Sequence, residues 1–292
     1  NETGRQQLEL AIALGVEALG EQHPTVASTR SNLALALLRT GHTREAAAEQ
    51  EKALAIREAA LGADHVEVAV SHSSLAQIMW TFGREEEALM HTRRALAIYE
   101  GAGQGDHPNA LSIRVNLASI LASRGDPDAA EQELRAALAG LRAKLGRRHP
   151  TVATGRAILA DVLFERGKLP EAEAERRASL EIMVEVHGED HVIVAWSRLS
   201  LARILLEAER AAEALEHAER GWARLEREEQ SGKDEGRARL VLARAQWAAA
   251  TSRDERQRAR RAAELALVAY ERAAEPDREG VATVQAWLRE HP

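Results

Sequence analysis

The sequence predicts an all-α fold built from stacked helical hairpins, and three observations lead to this prediction. Of the 292 residues only 3% are aromatic, and the strong helix formers Ala, Leu, Glu and Arg dominate the composition. Runs that alternate apolar and polar residues, which are typical of strands, are rare. The third observation is a 42-residue internal repeat, whose copies are marked by five equally spaced histidines: His23, His65, His107, His149 and His191.

Each copy of the repeat is predicted to form two helices. A Leu-Ala pair lies ten and eleven residues after each of these histidines, and a glycine follows after eighteen residues except in the fifth copy, where Glu209 takes its place. Proline after the histidine suits a helix start, and glycine suits a helix end. In the first copy these signals predict helices over 24–39 and 43–60. One hairpin cannot bury its apolar stripe alone, so the copies are expected to stack.

The two ends of the chain depart from the regular repeat. Residues 1–20 are predicted to form the second helix of an earlier copy, so the array is expected to continue upstream of Asn1. Residues 21–232 hold the five regular repeats. Residues 233–292 are predicted to form a degenerate sixth pair, followed by a short helix over 278–290 that caps the last apolar face.

The pattern of small and large residues resembles the tetratricopeptide repeat (TPR) signature at Leu33, Ala34, Gly41, Ala46 and Ala53. The 42-residue period, the Leu-Gly-x-x-His-Pro loops and the Asn-Leu-Ala runs are similar to those of the kinesin-light-chain type. This resemblance implies a right-handed α-solenoid whose first helices line a concave groove that binds protein or peptide. Similar arrays occur behind bacterial serine/threonine kinase domains, and the Ala-Trp-Leu run near the C-terminal end resembles the end of such a kinase.

One face of each first helix lies opposite its apolar stripe on a helical wheel, and we expect this face to form the binding groove. It is mostly small, hydroxylated or apolar, with carboxylates toward its C-terminal end. The expected partner is a neutral or basic segment with apolar anchors that meet Trp196 and Asp161. The alternative interpretation is that this face binds no partner and only contacts solvent. The expected groove residues are Ser31, Asn32, Leu35, Arg39, Gln77, Trp80, Asn116, Ser119, Asp161, Trp196, Leu199 and Arg203.

Composition argues against several other classes of partner. A net charge of −7 is unfavourable for bulk nucleic-acid binding, and no apolar stretch is long enough to form a membrane helix. The absence of cysteine excludes disulfides and thiolate metal sites, and it fits a cytoplasmic location. The repeat histidines are expected too far apart to share an ion, and His187 with His191 lacks an obvious third ligand. We therefore expect no metal and no other cofactor.

The sequence also gives no indication of catalysis. Phosphate-binding loops, nucleophile elbows and kinase motifs are absent, so this chain is not expected to be an enzyme. Glu85-Glu86-Glu87 is predicted to begin a helix, and the basic run from Arg253 to Arg261 is predicted to be a solvated helix face.

Two functions remain open. The first is a protein-interaction scaffold, and the alternative is a regulatory or sensory arm of a larger bacterial signalling enzyme such as a serine/threonine kinase. Self-association through the apolar face from Leu8 to Leu19 is a further possibility.

Overall fold

The computed structural model describes residues 2–228, 230–273 and 277–292. These residues form fourteen α-helices and no strand, which confirms the predicted all-α class. The contacts divide the chain into two compact units, Asn1–Gly146 and Arg147–Pro292. The first unit contains α1 (Glu2–Leu19), α2 (Pro24–Arg39), α3 (Thr43–Leu61), α4 (Val66–Thr81), α5 (Glu85–Gly101), α6 (Pro108–Ser123) and α7 (Pro127–Leu145).

The second unit is also built from hairpins. The helices α8 and α9, α10 and α11, and α12 and α13 pair with one another, and α14 packs against α13 and α12. Within the described part of the chain, no helix is both long and apolar enough to cross a membrane. The helices of this unit are α8 (Pro150–Glu165), α9 (Leu169–His187), α10 (Val192–Glu207), α11 (Ala211–Leu225), α12 (Gly232–Ala249), α13 (Arg253–Glu271) and α14 (Arg278–Glu290).

The repeat histidines cap the first helix of every regular repeat. They lie at helix starts, as predicted, and each Nδ1 atom accepts a hydrogen bond from the backbone N–H two residues later at 3.1–3.2 Å. This bond satisfies one of the donors that a helix start leaves unpaired. Since Nδ1 accepts, the ring hydrogen of the neutral imidazole lies on Nε2.

The turn between the two helices of a repeat needs a left-handed residue. Gly41 has φ +81°, and the equivalent glycines of the next three copies also have positive φ. Glu209 holds this conformation in the fifth copy with φ +58°, although its side chain makes the left-handed region unfavourable. Glu209 is the one non-glycine residue with positive φ in the described ranges.

Small residues let neighbouring helices approach closely. Ala46 and Ala53 are completely buried, as the repeat pattern predicts. At the C-terminal end the Tyr270 ring lies between Gly236 and Gly280, where an added Cβ would come within 2.6 Å and 2.5 Å of ring atoms. These contacts fix α14 against α12 and α13.

A polar pair joins the first and second helices of each regular repeat, always between residues 19 apart. Three of the pairs are Arg–Glu ion pairs, the second copy has a His–His hydrogen bond, and the fifth has an Arg–His contact. In every copy, the two residues of the pair occupy the same two positions of the 42-residue repeat. The pairs are Arg30–Glu49 (2.7 Å), His72–His91 (2.9 Å), Arg114–Glu133 (3.0 Å), Arg156–Glu175 (2.6 Å) and Arg198–His217 (3.4 Å).

Candidate functional site

Four of the expected groove residues meet in one cavity of the second unit. Asp161 comes from α8, and Trp196, Leu199 and Arg203 come from α10; α12 supplies the opposite wall. The cavity has a volume of about 350 Å³, and we call it the Arg203 cavity. Its other lining residues are Phe164, Glu165, Ser200, Arg237 and Val241.

The structure corrects the expected exposure of two of these side chains. The helical wheel places Leu199 on the open face, whereas it is only 2% exposed. It packs against Gly221 of α11, where an added Cβ would lie 2.9 Å from Leu199 Cγ. Trp196 is half-buried, and the Arg237 guanidinium covers its ring at 4.5 Å from the centroid. Leu199 therefore forms the floor of the cavity, and Trp196 offers only part of its surface.

The charge of Asp161 is already compensated by the protein. The buried Arg176 guanidinium donates to Asp161 Oδ1 at 2.6 Å and to the Ala157 carbonyl oxygen at 2.9 Å. A carboxylate that is paired in this way attracts a basic ligand less strongly than a free one. The expectation that Asp161 recruits a basic residue is thus weakened.

Arg203 and Arg237 are both exposed cations of the cavity, and Arg237 also pairs with Asp234 at 3.1 Å. The Arg203 guanidinium lies 5.2 Å from the centroid of the Phe164 ring, a cation–π contact. No ion pair reaches Arg203 from the residues that the structure describes. Two carboxylates, Asp161 and Glu165, and two guanidiniums, Arg203 and Arg237, line the cavity. Asp161 is paired with Arg176, and Arg237 is paired with Asp234. The remaining charges of Arg203 and Glu165 are opposite, so the arrangement is electrically balanced.

The other eight expected groove residues lie in the first unit, on α2, α4 and α6. Leu35 and Trp80 are 52% and 38% exposed, which leaves apolar surface available on this face. Ser31 accepts a hydrogen bond from the buried Arg57 guanidinium at 3.1 Å. Between residues 2 and 146, no hydrogen bond or ring contact joins any two of the eight. They are Ser31, Asn32, Leu35, Arg39, Gln77, Trp80, Asn116 and Ser119.

Two residues of the Arg203 cavity come from the degenerate sixth repeat and were not expected there. Val241 lies 42 residues after Leu199, so the repeat register itself could have identified it. Arg237 has no such signal, because the sixth copy has lost most of the repeat positions. Its place over Trp196 depends on the packing of α12 against α10.

Other features singled out in the sequence lie outside this cavity. His187 and His191 are ring neighbours with centroids 4.6 Å apart. In the described ranges no three metal-ligating side chains come together. Within the basic run on α13, Arg260 is partly buried and donates to the Leu288 and His291 carbonyl oxygens. It therefore anchors α14, whereas the sequence predicts a wholly solvated face.

Comparison with solved structures supports the same fold. BtubC (BKLC) from P. vanneervenii is 19% identical with a TM-score of 0.64, and the match covers 77% of this chain and 89% of that one. A putative kinesin light chain of Podosopora anserina with nearly identical TPR-like repeats is 24% identical with a TM-score of 0.56, covering 72% and 99%. The APC/C hetero-tetramer Cut9-Hcn1 gives 12% identity and a TM-score of 0.71, covering 98% and 46%. At these identities the likeness establishes the fold alone.

Sequence comparison identifies the repeat directly. No curated protein sequence matches the chain. A profile of the tetratricopeptide repeat matches five overlapping segments, 1–59, 44–101, 86–143, 106–174 and 151–227. Together these segments cover residues 1–227. The chain belongs to the tetratricopeptide-repeat family.

Proposed function

We propose that this chain is a protein-interaction scaffold that binds a peptide or protein segment along the exposed faces of its first helices. Tetratricopeptide repeats generally mediate protein–protein interactions. The observation that carries the proposal is the Arg203 cavity, in which three successive first helices, α8, α10 and α12, present side chains to one space. A volume of about 350 Å³ falls in the range of about 300–1,000 Å³ that is typical of ligand pockets.

The cavity combines the groups that peptide recognition uses. Phe164 and Trp196 supply aromatic surface, and Ser200 supplies a hydroxyl. Arg203 can donate to backbone carbonyl oxygens of a bound segment. We expect a mainly neutral segment here, because Asp161 and Arg237 each have an ion-pair partner and the charges of Arg203 and Glu165 are opposite.

Peptide selection tests this proposal. Short random peptides displayed on phage are selected on the whole chain, and the enriched peptides are synthesised and titrated. Arg203→Glu should weaken binding by about tenfold, which corresponds to about 1.4 kcal/mol. The matched control is Arg93→Glu, which reverses a charge on the exposed face of the second helix α5. No enrichment, or equal affinity for Arg203→Glu and wild type, would contradict the proposal.

The alternative function is a regulatory arm of a larger bacterial signalling enzyme such as a serine/threonine kinase. It rests on the sequence resemblance and makes the same prediction for the groove. A kinase catalytic loop in the coding sequence upstream of Asn1 would favour it, and the expected cytoplasmic location is part of either proposal.

Self-association through α1 is a separate proposal. Leu10, Leu14 and Leu19 are 61%, 56% and 50% exposed, which leaves apolar surface on this helix. Light scattering over a range of concentrations tests it, and a constant monomer mass would contradict it.

A further inference from the structure

A second cavity of the C-terminal unit adjoins the proposed groove. It has a volume of about 610 Å³ and lies between the C-terminal part of α10, the C-terminal half of α12 and the helix α14. We call it the Trp287 cavity. Its apolar lining consists of Leu206, Leu240, Trp247, Ala248, Ala286 and Trp287.

The aromatic rings of this cavity are held in fixed positions. The Trp247 and Trp287 rings meet edge to face with centroids 5.7 Å apart, and the His291 ring stacks on Trp287 at 4.3 Å. His291 Nδ1 lies 2.8 Å from the Trp287 carbonyl oxygen. Because a carbonyl oxygen only accepts, Nδ1 is the donor, and this bond fixes the ring. A ligand therefore meets a preformed aromatic surface and does not have to order it.

The wall that α14 contributes is also anchored. Arg260 of α13 donates to the Leu288 and His291 carbonyl oxygens at 3.2 Å and 2.8 Å. The first turn of α14 is fixed by Asp277, whose Oδ1 accepts from the Gly280 backbone N–H at 3.0 Å. Both ends of the helix are thus held.

Of the charged side chains that line the Trp287 cavity, two are carboxylates and one is a guanidinium. The Arg256 guanidinium lies over the Trp247 ring, 5.7 Å from its centroid. Glu207 pairs with Arg244 at 2.9 Å. Glu290 is exposed, and none of the described residues forms an ion pair with it. An uncompensated carboxylate beside an apolar cavity is complementary to an apolar side chain next to a basic one.

The two cavities lie next to each other along α10 and α12. Arg203 and Glu207 lie one turn apart on α10, and Val241 and Arg244 lie one turn apart on α12, so about 6 Å of helix separates them. A partner peptide that binds in an extended conformation over the Arg203 cavity can place the side chains of its following residues in the Trp287 cavity.

We propose that the Trp287 cavity is an anchor site for a partner peptide that carries a large apolar side chain followed by lysine or arginine. The apolar side chain packs against the surface that the contacting indoles of Trp247 and Trp287 form with Leu240, and the basic side chain pairs with Glu290. This inference rests on the proposed function, since it names the class of segment that the groove binds.

Two phage libraries with random flanks test the inference. One carries a fixed Phe-Arg pair and the other a fixed Phe-Glu pair, and both are selected on the whole chain. The Phe-Arg library should be enriched over the Phe-Glu library. Its enrichment should fall about tenfold on a Glu207→Gln/Glu290→Gln double variant, whose substitutions are exposed. Trp287→Phe is a second variant, which keeps an aromatic ring at the site and should weaken selection less than Trp287→Ala.

The outcomes separate this inference from the proposed function. Equal enrichment of the two libraries, or enrichment that survives the double variant and Trp287→Ala, would overturn the anchor site. If that surviving binding is lost in Arg203→Glu, the groove binds peptides elsewhere and the proposed function stands. If neither library nor a fully random library is enriched, both proposals fail.

Discussion

The His72–His91 pair should make the stability of the first unit depend on pH. These imidazoles occupy the positions at which three other repeats have an Arg–Glu ion pair, and their Nδ1 atoms are 2.9 Å apart. Only one proton fits between them. Burial, with repulsion from His91 and Arg94, lowers the pKa of His72 from its ordinary 6.5 to about 4. Burial also lowers the pKa of His91, although Glu87 and Glu51 oppose the shift.

The sign and size of the effect follow from these values. The unfolded chain binds a proton at His72 near pH 6.5, and the folded chain does so only near pH 4. Between these values the unfolded chain holds more protons, so stability falls as the pH falls. From pH 7 to pH 5, His72 alone should remove about 2 kcal/mol of unfolding free energy.

The test variant is His72→Arg/His91→Glu, which installs the ion pair of the other repeats. Urea unfolding at pH 7 and pH 5 is monitored by circular dichroism. On acidification the variant should lose at least about 2 kcal/mol less unfolding free energy than wild type, because both imidazoles with lowered pKa values are gone. All other histidines are common to both proteins, so the difference isolates the pair. The control variant is His42→Gln, which replaces an exposed histidine of the same unit and leaves the buried pair intact. A pH dependence in the double variant within about 0.5 kcal/mol of wild type would refute the reasoning.

Three further substitutions test the local structure. Glu209→Gly should raise the unfolding free energy by about 1 kcal/mol, because residue 209 has φ +58° and glycine adopts this conformation without strain. A variant that melts at a lower temperature than wild type would contradict this. His149→Ala should cost about 1 kcal/mol by removing the cap acceptor, while His149→Asn retains most of it; equal losses would argue against capping. Gly221→Ala should cost about 1–3 kcal/mol, since its Cβ would lie 2.9 Å from Leu199 Cγ. Wild-type stability in urea would show that α10 and α11 are not tightly packed there.

The sequence was sufficient to predict the helices, because the same helix-start and helix-end residues recur in several copies of the repeat. The predicted helices over 24–39 and 43–60 match Pro24–Arg39 and Thr43–Leu61. The short helix predicted over 278–290 is found at Arg278–Glu290. Helix ends depend on local signals such as proline and glycine, which one copy already contains.

The chemistry of the cavities could not be predicted in the same way, because it depends on contacts between helices. A helical wheel describes one helix at a time, so it cannot show that Leu199 packs against Gly221 of another helix and is buried there. It also cannot show that Arg176 neutralises Asp161 from a second helix, or that Arg237 covers Trp196. These partners lie 15 to 41 residues away in the chain.

Amide hydrogen exchange of the chain with and without a saturating selected peptide tests the central claim most directly. Binding on the first helices predicts added protection at α8, α10 and α12, with α14 included if the anchor site is occupied. The second helices α9 and α11 should exchange as in the free chain. Protection confined to α9 and α11, with α8, α10 and α12 unchanged, would contradict binding in the groove.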